Sequence, residues 1–271
     1  MSVLVHPSAQ VADGAELAEG VVVGPYCVVG SRVCIGAGSR LEAFVRVHDF
    51  VTLGSDCCVH ENTVLGGAPQ DRSYKGEETW LHIGDGNIIR ENVTINRGTG
   101  EGGETVVGDR CFLMAGVHLA HNVRLGDEVT LTNNVPLAGY VTVGSHTVFG
   151  GMSGAHQFTR VGSYCMIGGL YRVIKDVPPY TLASGDPLRL KGLNSVGLRR
   201  AGFSAAMRRD ILNFYRRLYR KDVLFSQSLK EALAEKESLA PELRVILDFY
   251  EGSRRGVTFW DTSGHSAHEP D

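Results

Sequence analysis

The sequence predicts a mainly β protein: a parallel β-helix of hexapeptide repeats followed by a small α-helical C-terminal domain. An aliphatic residue recurs at nearly every sixth position from Val5 to Val173, with two interruptions. Glycine often follows that residue, and the chain contains 34 glycines in all. Beyond the segment DVPPY at 176–180, apolar residues take the spacing of an amphipathic helix.

The six-residue period does not fit an α-helix, which would place apolar residues three or four positions apart. It fits a short strand and a turn, with one side chain pointing inward each time. Three such sides make a triangular coil, and neighbouring coils stack about 4.8 Å apart, the ordinary strand spacing. The residues in phase are Val5, Val11, Leu17, Val23, Val29, Ile35, Leu41, Val47, Leu53, Val59, Leu65, Ile83, Ile89, Ile95, Val107, Leu113, Leu119, Leu125, Leu131, Leu137, Val143, Phe149, Ala155, Val161, Ile167 and Val173.

The predicted domain boundaries follow from where this period holds. The β-helix is predicted for 1–184, with loops extruded at 66–82 and 97–106, where the period is interrupted. Loops on a rigid scaffold commonly carry function. An α-helical domain is predicted for 185–258. The segment 259–271 has the composition of a disordered tail, in which His265 and His268 are incidental.

Within the helical domain, Ser204 is a good N-cap for one helix. Further helices are predicted over 227–237 and 241–251, the second opened by Pro241. The helix after Ser204 has an apolar face formed by Met207, Ile211, Phe214, Tyr215 and Leu218.

Composition narrows the functional class. The 27 basic and 30 acidic residues give a net charge of −3, without the basic excess of a nucleic-acid-binding protein. No run near 20 apolar residues predicts a transmembrane segment, and the N-terminus does not resemble a signal peptide. The six cysteines form no CxxC pair, which favours a reduced, cytoplasmic protein.

The coil period brings several chemically active residues together, because positions 18 apart should lie on adjacent coils of one face. His121 is then beneath Gly139, and Gly139 beneath Gln157. His156 is next to Gln157, and His118 precedes His121 by three residues. A histidine can take a proton from a hydroxyl or an amine near neutral pH, and an uncovered backbone N–H can stabilise an oxyanion. The set suits direct group transfer without a serine or cysteine nucleophile.

Two hypotheses from other classes stay open at this point. Histidines on neighbouring coils of a trimeric β-helix can hold zinc, as in γ-class carbonic anhydrases, so a metal-dependent hydratase is one alternative. The close spacing of His118 and His121 does not resemble the wider pair of that family. A non-catalytic scaffold is the other alternative, and the two long loops disfavour it.

Eight segments resemble acyl-[acyl-carrier-protein]–UDP-N-acetylglucosamine O-acyltransferases, the hexapeptide-repeat family that begins lipid A synthesis. The resemblance covers about residues 3–258, and its most specific parts are AHQF, DVPPY and GLRRAGF. The segments are PQD at 69–71, YKGE at 74–77, INRGT at 95–99, HLAHN at 118–122, PLAG at 136–139, GGMSGAHQF at 150–158, DVPPY at 176–180 and GLNSVGLRRAGFS at 192–204.

The resemblance implies a left-handed coil and a cytoplasmic homotrimer, with sites between subunits and neither metal nor cofactor. It implies transfer of a fatty acyl chain from acyl carrier protein, the co-substrate, to the 3-hydroxyl of UDP-N-acetylglucosamine. It also implies that His121 is the general base and the Gly139 N–H the oxyanion donor, while Gln70 and Asp71 bind the sugar. The remaining implied residues are His118, His156, Gln157, Asn194 and Arg200 at the nucleotide sugar, and Met166 and Gly169 at the acyl chain.

Four positions depart from the family pattern. Ser73 stands in place of a lysine, Asn122 of an aspartate, Tyr140 of a histidine and Val196 of an acidic residue. Asn122 and Tyr140 are 18 residues apart and therefore predicted neighbours. The changes remove groups that would contact the sugar or nucleotide. They predict weaker use of UDP-N-acetylglucosamine, or another acceptor such as a 3-amino analogue, whose amine needs less activation.

A basic segment between residues 188 and 221 predicts a docking surface for acyl carrier protein. Acyl carrier proteins are strongly acidic, so such a surface would steer them. Only Asp210 opposes the basic residues, which are Arg189, Lys191, Arg199, Arg200, Arg208, Arg209, Arg216, Arg217, Arg220 and Lys221.

Overall fold

The computed structural model describes residues 2–261 of the 271-residue chain. The first strands are β1 Leu4–Val5, β2 Gln10–Val11, β3 Glu16–Leu17, β4 Val22–Val23, β5 Val28–Val29, β6 Val33–Ile35, β7 Arg40–Leu41, β8 Arg46–Val47, β9 Val51–Leu53, β10 Cys58–Val59, β11 Val64–Gly67, β12 Trp80–Ile83, β13 Ile88–Ile89 and β14 Thr94–Asn96. They are followed by β15 Glu104–Val107, β16 Phe112–Leu113, β17 His118–Leu119, β18 Arg124–Leu125, β19 Thr130–Leu131, β20 Pro136–Leu137, β21 Thr142–Val143, β22 Val148–Phe149, β23 Gly154–Ala155, β24 Arg160–Val161, β25 Met166–Ile167, β26 Arg172–Val173, β27 Thr181–Ser184 and β28 Arg189–Leu193.

These strands form three sheets, and each coil contributes one strand to each sheet. The first sheet runs from β1 through β4 and β7 to β25, β27 and β28, the second from β2 to β26, and the third from β3 to β24. Between neighbouring coils the strands are parallel, and partners are 18 residues apart where no loop intervenes, as in Leu119 with Leu137. The predicted mainly β fold with a helical C-terminal region is confirmed.

The interior is filled by the in-phase aliphatic residues, which are almost fully buried from Val23 onward. A second inward position carries small polar groups that satisfy the carbonyl groups of the turns. The Cys111 thiol donates to the Gly126 carbonyl oxygen at 3.2 Å, and the Thr147 hydroxyl to that of Gly162 at 2.7 Å. Buried carbonyl groups therefore keep partners inside an otherwise apolar prism.

Both extruded loops leave the coil where the chain passes from the second sheet to the third. One lies between β11 and β12, and the other between β14 and β15. Each loop adds residues between two paired strands, so that the paired residues are more than 18 positions apart: Leu53 pairs with Ile83, and Ile83 with Val107. We call this edge of the prism the loop corner, and the two segments the first loop (68–79) and the second loop (97–103).

The C-terminal part begins with a strand, contrary to the prediction that residues from 185 onward are helical. Strand β28 pairs antiparallel with β27 and extends the first sheet. The helix predicted over 227–237 begins earlier and is split, because the α-helical hydrogen bonding ends near Glu235 and a 3₁₀ turn follows. The helices are α1 Ser195–Arg200, α2 Ala205–Leu218, α3 Phe225–Ala234, the 3₁₀ helix Lys236–Ser238 and α4 Pro241–Glu251.

Helix α2 packs as its sequence pattern predicts. The hydroxyl of Ser204 accepts a hydrogen bond from the Met207 N–H at 3.1 Å, and this caps the helix. The apolar face is buried, apart from the partly exposed Met207. The hydroxyl of Tyr215 donates to the Pro179 carbonyl oxygen at 2.7 Å and ties the helices to the last coil.

The prediction of a disordered tail is wrong for residues 259–261. Trp260 pairs with Leu190 as an isolated bridge, and its ring lies 5.5 Å from that of Tyr215. The ring of Trp260 packs on an apolar surface that lies far away in the sequence, so the local composition does not indicate it. The rest of the predicted tail, with His265 and His268, lies outside the described residues. Within residues 2–261, no helix is long and apolar enough to cross a membrane.

Candidate active site

The loop corner carries the residues that the coil period predicted to be neighbours. His121 follows β17, Gly139 follows β20 and Gln157 follows β23, all strands of the second sheet. The Tyr140 N–H donates to the His121 carbonyl oxygen at 3.1 Å, and the Phe158 N–H to that of Gly139 at 3.0 Å. The three turns are therefore stacked, with both extruded loops leaving the same corner.

Asn122 fixes the orientation of the His121 imidazole. The Asn122 Oδ1 accepts from the Thr99 N–H at 3.0 Å, while Nδ2 donates to the Thr99 carbonyl oxygen at 3.3 Å. This double contact assigns the amide, since only one orientation satisfies both Thr99 groups. The Nδ1 of His121 lies 2.9 Å from the same Oδ1 and must therefore be the donor. A neutral imidazole then has its lone pair on Nε2.

The Nε2 of His121 points toward the first loop, where Asp71 Oδ2 lies 3.8 Å away. The backbone N–H and the hydroxyl of Ser73 both donate to Asp71 Oδ1, at 2.8 and 2.9 Å. These bonds, followed by the charge of protonated His121, lower the pKa of Asp71. Ser73, at the position where the resemblance implies a lysine, thus holds the carboxylate beside the imidazole.

Gly139 lies directly against the ring of His121. A Cβ atom at position 139 would lie 2.7 Å from Cε1 and 2.8 Å from Nε2 of that ring, a distance that real side chains do not tolerate. Only glycine leaves room for the imidazole in this place. The Gly139 N–H has no acceptor among residues 2–261, so it is available to a ligand.

Tyr140 forms an aromatic wall of the site. Its ring meets that of His121 edge to face, with centroids 5.4 Å apart, and stacks on Phe158 at 4.8 Å. Both aromatic side chains are exposed. Tyr140 therefore offers a ligand an aromatic face for apolar contact and a hydroxyl group.

Glu77 joins the two loops, a role that the six-residue period does not predict. Its Oε1 accepts from the Gly100 N–H at 2.9 Å and from the Thr99 hydroxyl at 3.3 Å. Its Oε2 accepts from the Lys75 N–H at 2.8 Å. The Lys75 N–H, with other backbone N–H groups, lowers the pKa of Glu77. Glu77 lies in the segment YKGE and Thr99 in INRGT, and both segments carry the family resemblance. That resemblance is the sequence signal that could have indicated their role.

The other two predicted histidines have partners of their own. His118 Nδ1 lies 2.8 Å from the Thr94 hydroxyl, and burial lowers the pKa of His118. His156 is exposed, and its Nδ1 lies 3.2 Å from the Gln157 carbonyl oxygen. Within the described residues, neither forms a hydrogen bond with His121. Gln70 and Gln157 are exposed at the loop corner, free to meet a ligand.

The remaining predicted residues lie elsewhere on the chain. Met166 belongs to β25 and Gly169 to the turn after it, at the corner between the first and second sheets. Asn194 caps α1 by accepting from the Gly197 N–H at 3.1 Å, and its amide donates to the Tyr164 carbonyl oxygen at 2.9 Å. Arg200 is exposed in the last turn of α1. One chain does not bring these residues to the His121 corner.

One group of side chains with the spacing of metal ligands lies away from this site. Among the described residues, the donor atoms of His60, Glu61 and Glu91 lie within 4.8 Å of one another. Arg90 binds the carboxylate of Glu91 at 2.7 Å and lowers the pKa of Glu91 to about 2. Within one chain, His118, His121 and His156 form no such group in the part described.

Comparison with known proteins places this geometry in a family. A family model described as UDP-N-acetylglucosamine O-acyltransferase, domain 2, matches residues 176–258. The acyl-[acyl-carrier-protein]–UDP-N-acetylglucosamine O-acyltransferase of Verminephrobacter eiseniae is 41% identical over 257 residues, covering 93% of this chain and 98% of that protein.

Solved structures agree with the sequence relatives. The UDP-N-acetylglucosamine O-acyltransferase of Moraxella catarrhalis superposes with a TM-score of 0.89 at 38% identity, over 94% of this chain and 99% of that one. The Francisella novicida UDP-N-acetylglucosamine acyltransferase gives 0.92 at 33% identity, over 96% and 95%. The coil is thus the left-handed parallel β-helix that the resemblance implied. The chain belongs to the acyl-[acyl-carrier-protein]–UDP-N-acetylglucosamine O-acyltransferase family.

Proposed function

We propose that this protein transfers a fatty acyl chain from acyl carrier protein to the 3-hydroxyl of UDP-N-acetylglucosamine, the first step of lipid A synthesis. Family membership supports the substrate pair, since the relatives are named for it. The observation that carries the chemistry is the hydrogen bond from His121 to Asn122, which leaves Nε2 as the basic atom facing the first loop.

In the proposed reaction, Nε2 of His121 takes the proton of the sugar hydroxyl as its oxygen attacks the acyl carbonyl of the carrier thioester. Asp71 and Gln70 hold the sugar against the base. The Gly139 N–H donates to the oxyanion of the tetrahedral intermediate. When that intermediate collapses, the carbon–sulfur bond breaks and the imidazolium returns its proton to the carrier thiolate. The scheme uses no metal or cofactor.

The proposed assembly is a homotrimer, with sites between subunits. Met166, Gly169, Asn194 and Arg200 lie away from the loop corner, so a neighbouring subunit would have to bring its copies of them to His121. Analytical ultracentrifugation should therefore give a trimer. A monomer at micromolar concentration would contradict both the assembly and the roles of these four residues.

Acyl carrier protein is proposed to dock on the basic residues between 188 and 221. Three of the ten are paired within the chain: Lys191 with Asp261, Arg217 with Glu235 and Arg220 with Glu231. Most of the others are exposed. The KM for the carrier should rise with salt, because the Debye length falls to about 3 Å at 1 M. A salt-independent KM would exclude electrostatic docking.

A cytoplasmic location is proposed from the six free cysteines.

The deciding experiment is mass spectrometry of the products formed from a panel of acyl carriers and nucleotide sugars. We expect a single acyl group on the 3-oxygen of UDP-N-acetylglucosamine, formed only with acyl carrier protein as donor. The panel should include a 3-amino analogue and a coenzyme A thioester. If no product forms with any carrier, the proposed enzymatic activity is refuted and the non-catalytic scaffold remains as the alternative.

A further inference from the structure

A concave site lies at the second sheet, beside the base of the first loop. Its volume is about 230 Å³, and it is separate from the His121 turn. Three basic side chains face it, from β8, from the residue after β8 and from the second loop. The lining residues are Val28, Gly30, Arg46, Val47, His48, Asp49, Phe50 and Arg97.

The basic groups of this cavity crowd one another. The Nε of Arg46 donates to Nε2 of His48 at 3.2 Å, so the imidazole is the acceptor and neutral. Burial, and then the charges of Arg46 and Arg97, lower the pKa of His48. Asp49 is the one carboxylate among the lining residues, and its Oδ1 already accepts from the Ser31 N–H at 2.8 Å. The cavity is therefore short of negative charge.

Arg97 is fixed by two hydrogen bonds, but one of its N–H donors has no partner among the described residues. Its Nη1 donates to the Gly66 carbonyl oxygen at 2.9 Å and its Nη2 to the Tyr74 hydroxyl at 2.8 Å. Its Nε is buried and has no hydrogen-bond partner among the described residues. Both hydrogen-bond partners of Arg97 are neutral oxygen atoms, so its positive charge is not compensated, and an oxyanion in the cavity would stabilise it.

We propose that Arg46, His48 and Arg97 form a binding site for a phosphate-class anion. Two guanidinium groups and an imidazole around one cavity give the charge and the N–H donors that phosphate oxygens require. The site is linked to the catalytic corner through Tyr74, which hydrogen-bonds Arg97 and whose N–H donates to the Asp71 carbonyl oxygen at 3.2 Å. An anion bound here would hold the loop that presents Asp71 to His121.

Binding is tested with inorganic phosphate and the full-length protein, by NMR of the His48 imidazole. We expect a saturable shift of the His48 signal and a rise in the pKa of His48, because a neighbouring anion favours the charged imidazole. Arg46→Ala should weaken phosphate binding at least about tenfold. Arg40→Ala is the matched control, since Arg40 is also exposed at the outward position of a two-residue strand but lies on the first sheet.

Two results would overturn the proposal. One is the absence of a saturable His48 shift at about 10 mM phosphate, where a millimolar site would be mostly occupied. The other is equal binding by the wild type and by a folded Arg46→Ala variant, with folding checked by circular dichroism. A cavity filled by a carboxylate of a second copy of the chain would give the first result.

The source of the phosphate group is resolved by inhibition kinetics, and this part rests on the proposed function. Competition between inorganic phosphate and the nucleotide sugar would assign the site to the sugar's diphosphate. Inhibition or activation that the nucleotide sugar does not relieve would assign it to free phosphate. The NMR measurement needs no turnover, so the anion site and the proposed activity can fail independently.

Discussion

Two histidines at different corners of the prism show how the same side chain takes two roles. His146, between the third and first sheets, has its Nδ1 3.0 Å from Glu128 Oε2 and its ring stacked on Tyr164 at 4.5 Å. His121, at the loop corner, gives its Nδ1 to a neutral amide and keeps Nε2 toward a loop. Both loops leave the corner of His121, and this position is what separates the proposed base from a histidine that only stacks.

Replacing the two histidines tests this comparison most strongly. His121→Ala should lower kcat by about 10³-fold, within the usual range for loss of a general base. His146→Ala should stay near the wild-type rate, because its ring lies at a corner without a loop. Steady-state kinetics with the purified proteins checks both. A His121→Ala enzyme that keeps more than half of the wild-type kcat would remove the base from the proposed mechanism.

Gly139→Ala tests whether the His121 ring needs a bare backbone beneath it. The new methyl group would meet the ring 2.7 Å away and displace both the proposed base and the proposed oxyanion donor, so kcat should fall on the order of 10²-fold. Gly151→Ala is the control, because its Cβ would find its nearest neighbour at 3.6 Å. Equal activity of the two variants, with unchanged melting temperatures, would show that the contact is unimportant.

Asn122 separates orientation from charge. Asn122→Ala removes the acceptor of His121 Nδ1 and should lower kcat about tenfold. Asn122→Asp restores an acceptor but loses the Nδ2 donor to the Thr99 carbonyl oxygen. Its carboxylate also favours the protonated imidazole, so the acid limb of the pH–kcat/KM profile should move to higher pH. If the Asn122→Asp variant keeps the wild-type rate and the acid limb of its pH profile does not move, the hydrogen bonds between Asn122 and Thr99 have no catalytic effect.

The smallest expected effect concerns the pH dependence of sugar binding. Ser73 lowers the pKa of Asp71, so the carboxylate stays charged to lower pH than an unassisted one. Binding that needs this charge is present above the ordinary carboxyl range and is lost as pH falls through the lowered pKa. In Ser73→Ala, the KM for the nucleotide sugar should therefore begin to rise at a higher pH. Identical KM–pH curves would exclude this role.

The coil and the neighbours of His121 could be predicted because both follow from a fixed period. Once residues 18 apart pair, Gly139 must lie over His121 without any knowledge of side chains. The contacts of the loops could not be predicted in this way, since Glu77 and Thr99 meet across irregular backbone that no period describes. The sequence alone presents Asn122 as a lost charge, because it does not show that Thr99 of the second loop is the partner of its amide.

The helical part was less predictable for a similar reason. Ser204 and the apolar face of α2 are local signals, and the structure matches them. Strand β28 and Trp260 depend on partners distant in the chain, so the local composition suggested helix and disorder instead. The predicted consequences of Ser73, Tyr140 and Val196 for the acceptor remain predictions, to be measured with the product panel.

The thiols that line the interior also determine how the protein meets oxidants and alkylating reagents. Burial raises the pKa of Cys111 to about 11 and that of Cys165 to about 12, so almost no thiolate exists there at neutral pH. The burial that keeps water out of the interior therefore keeps these sulfur atoms unreactive. Cys34, on the third sheet, is the exposed cysteine of the six, so a thiol-directed spectroscopic label should attach there first.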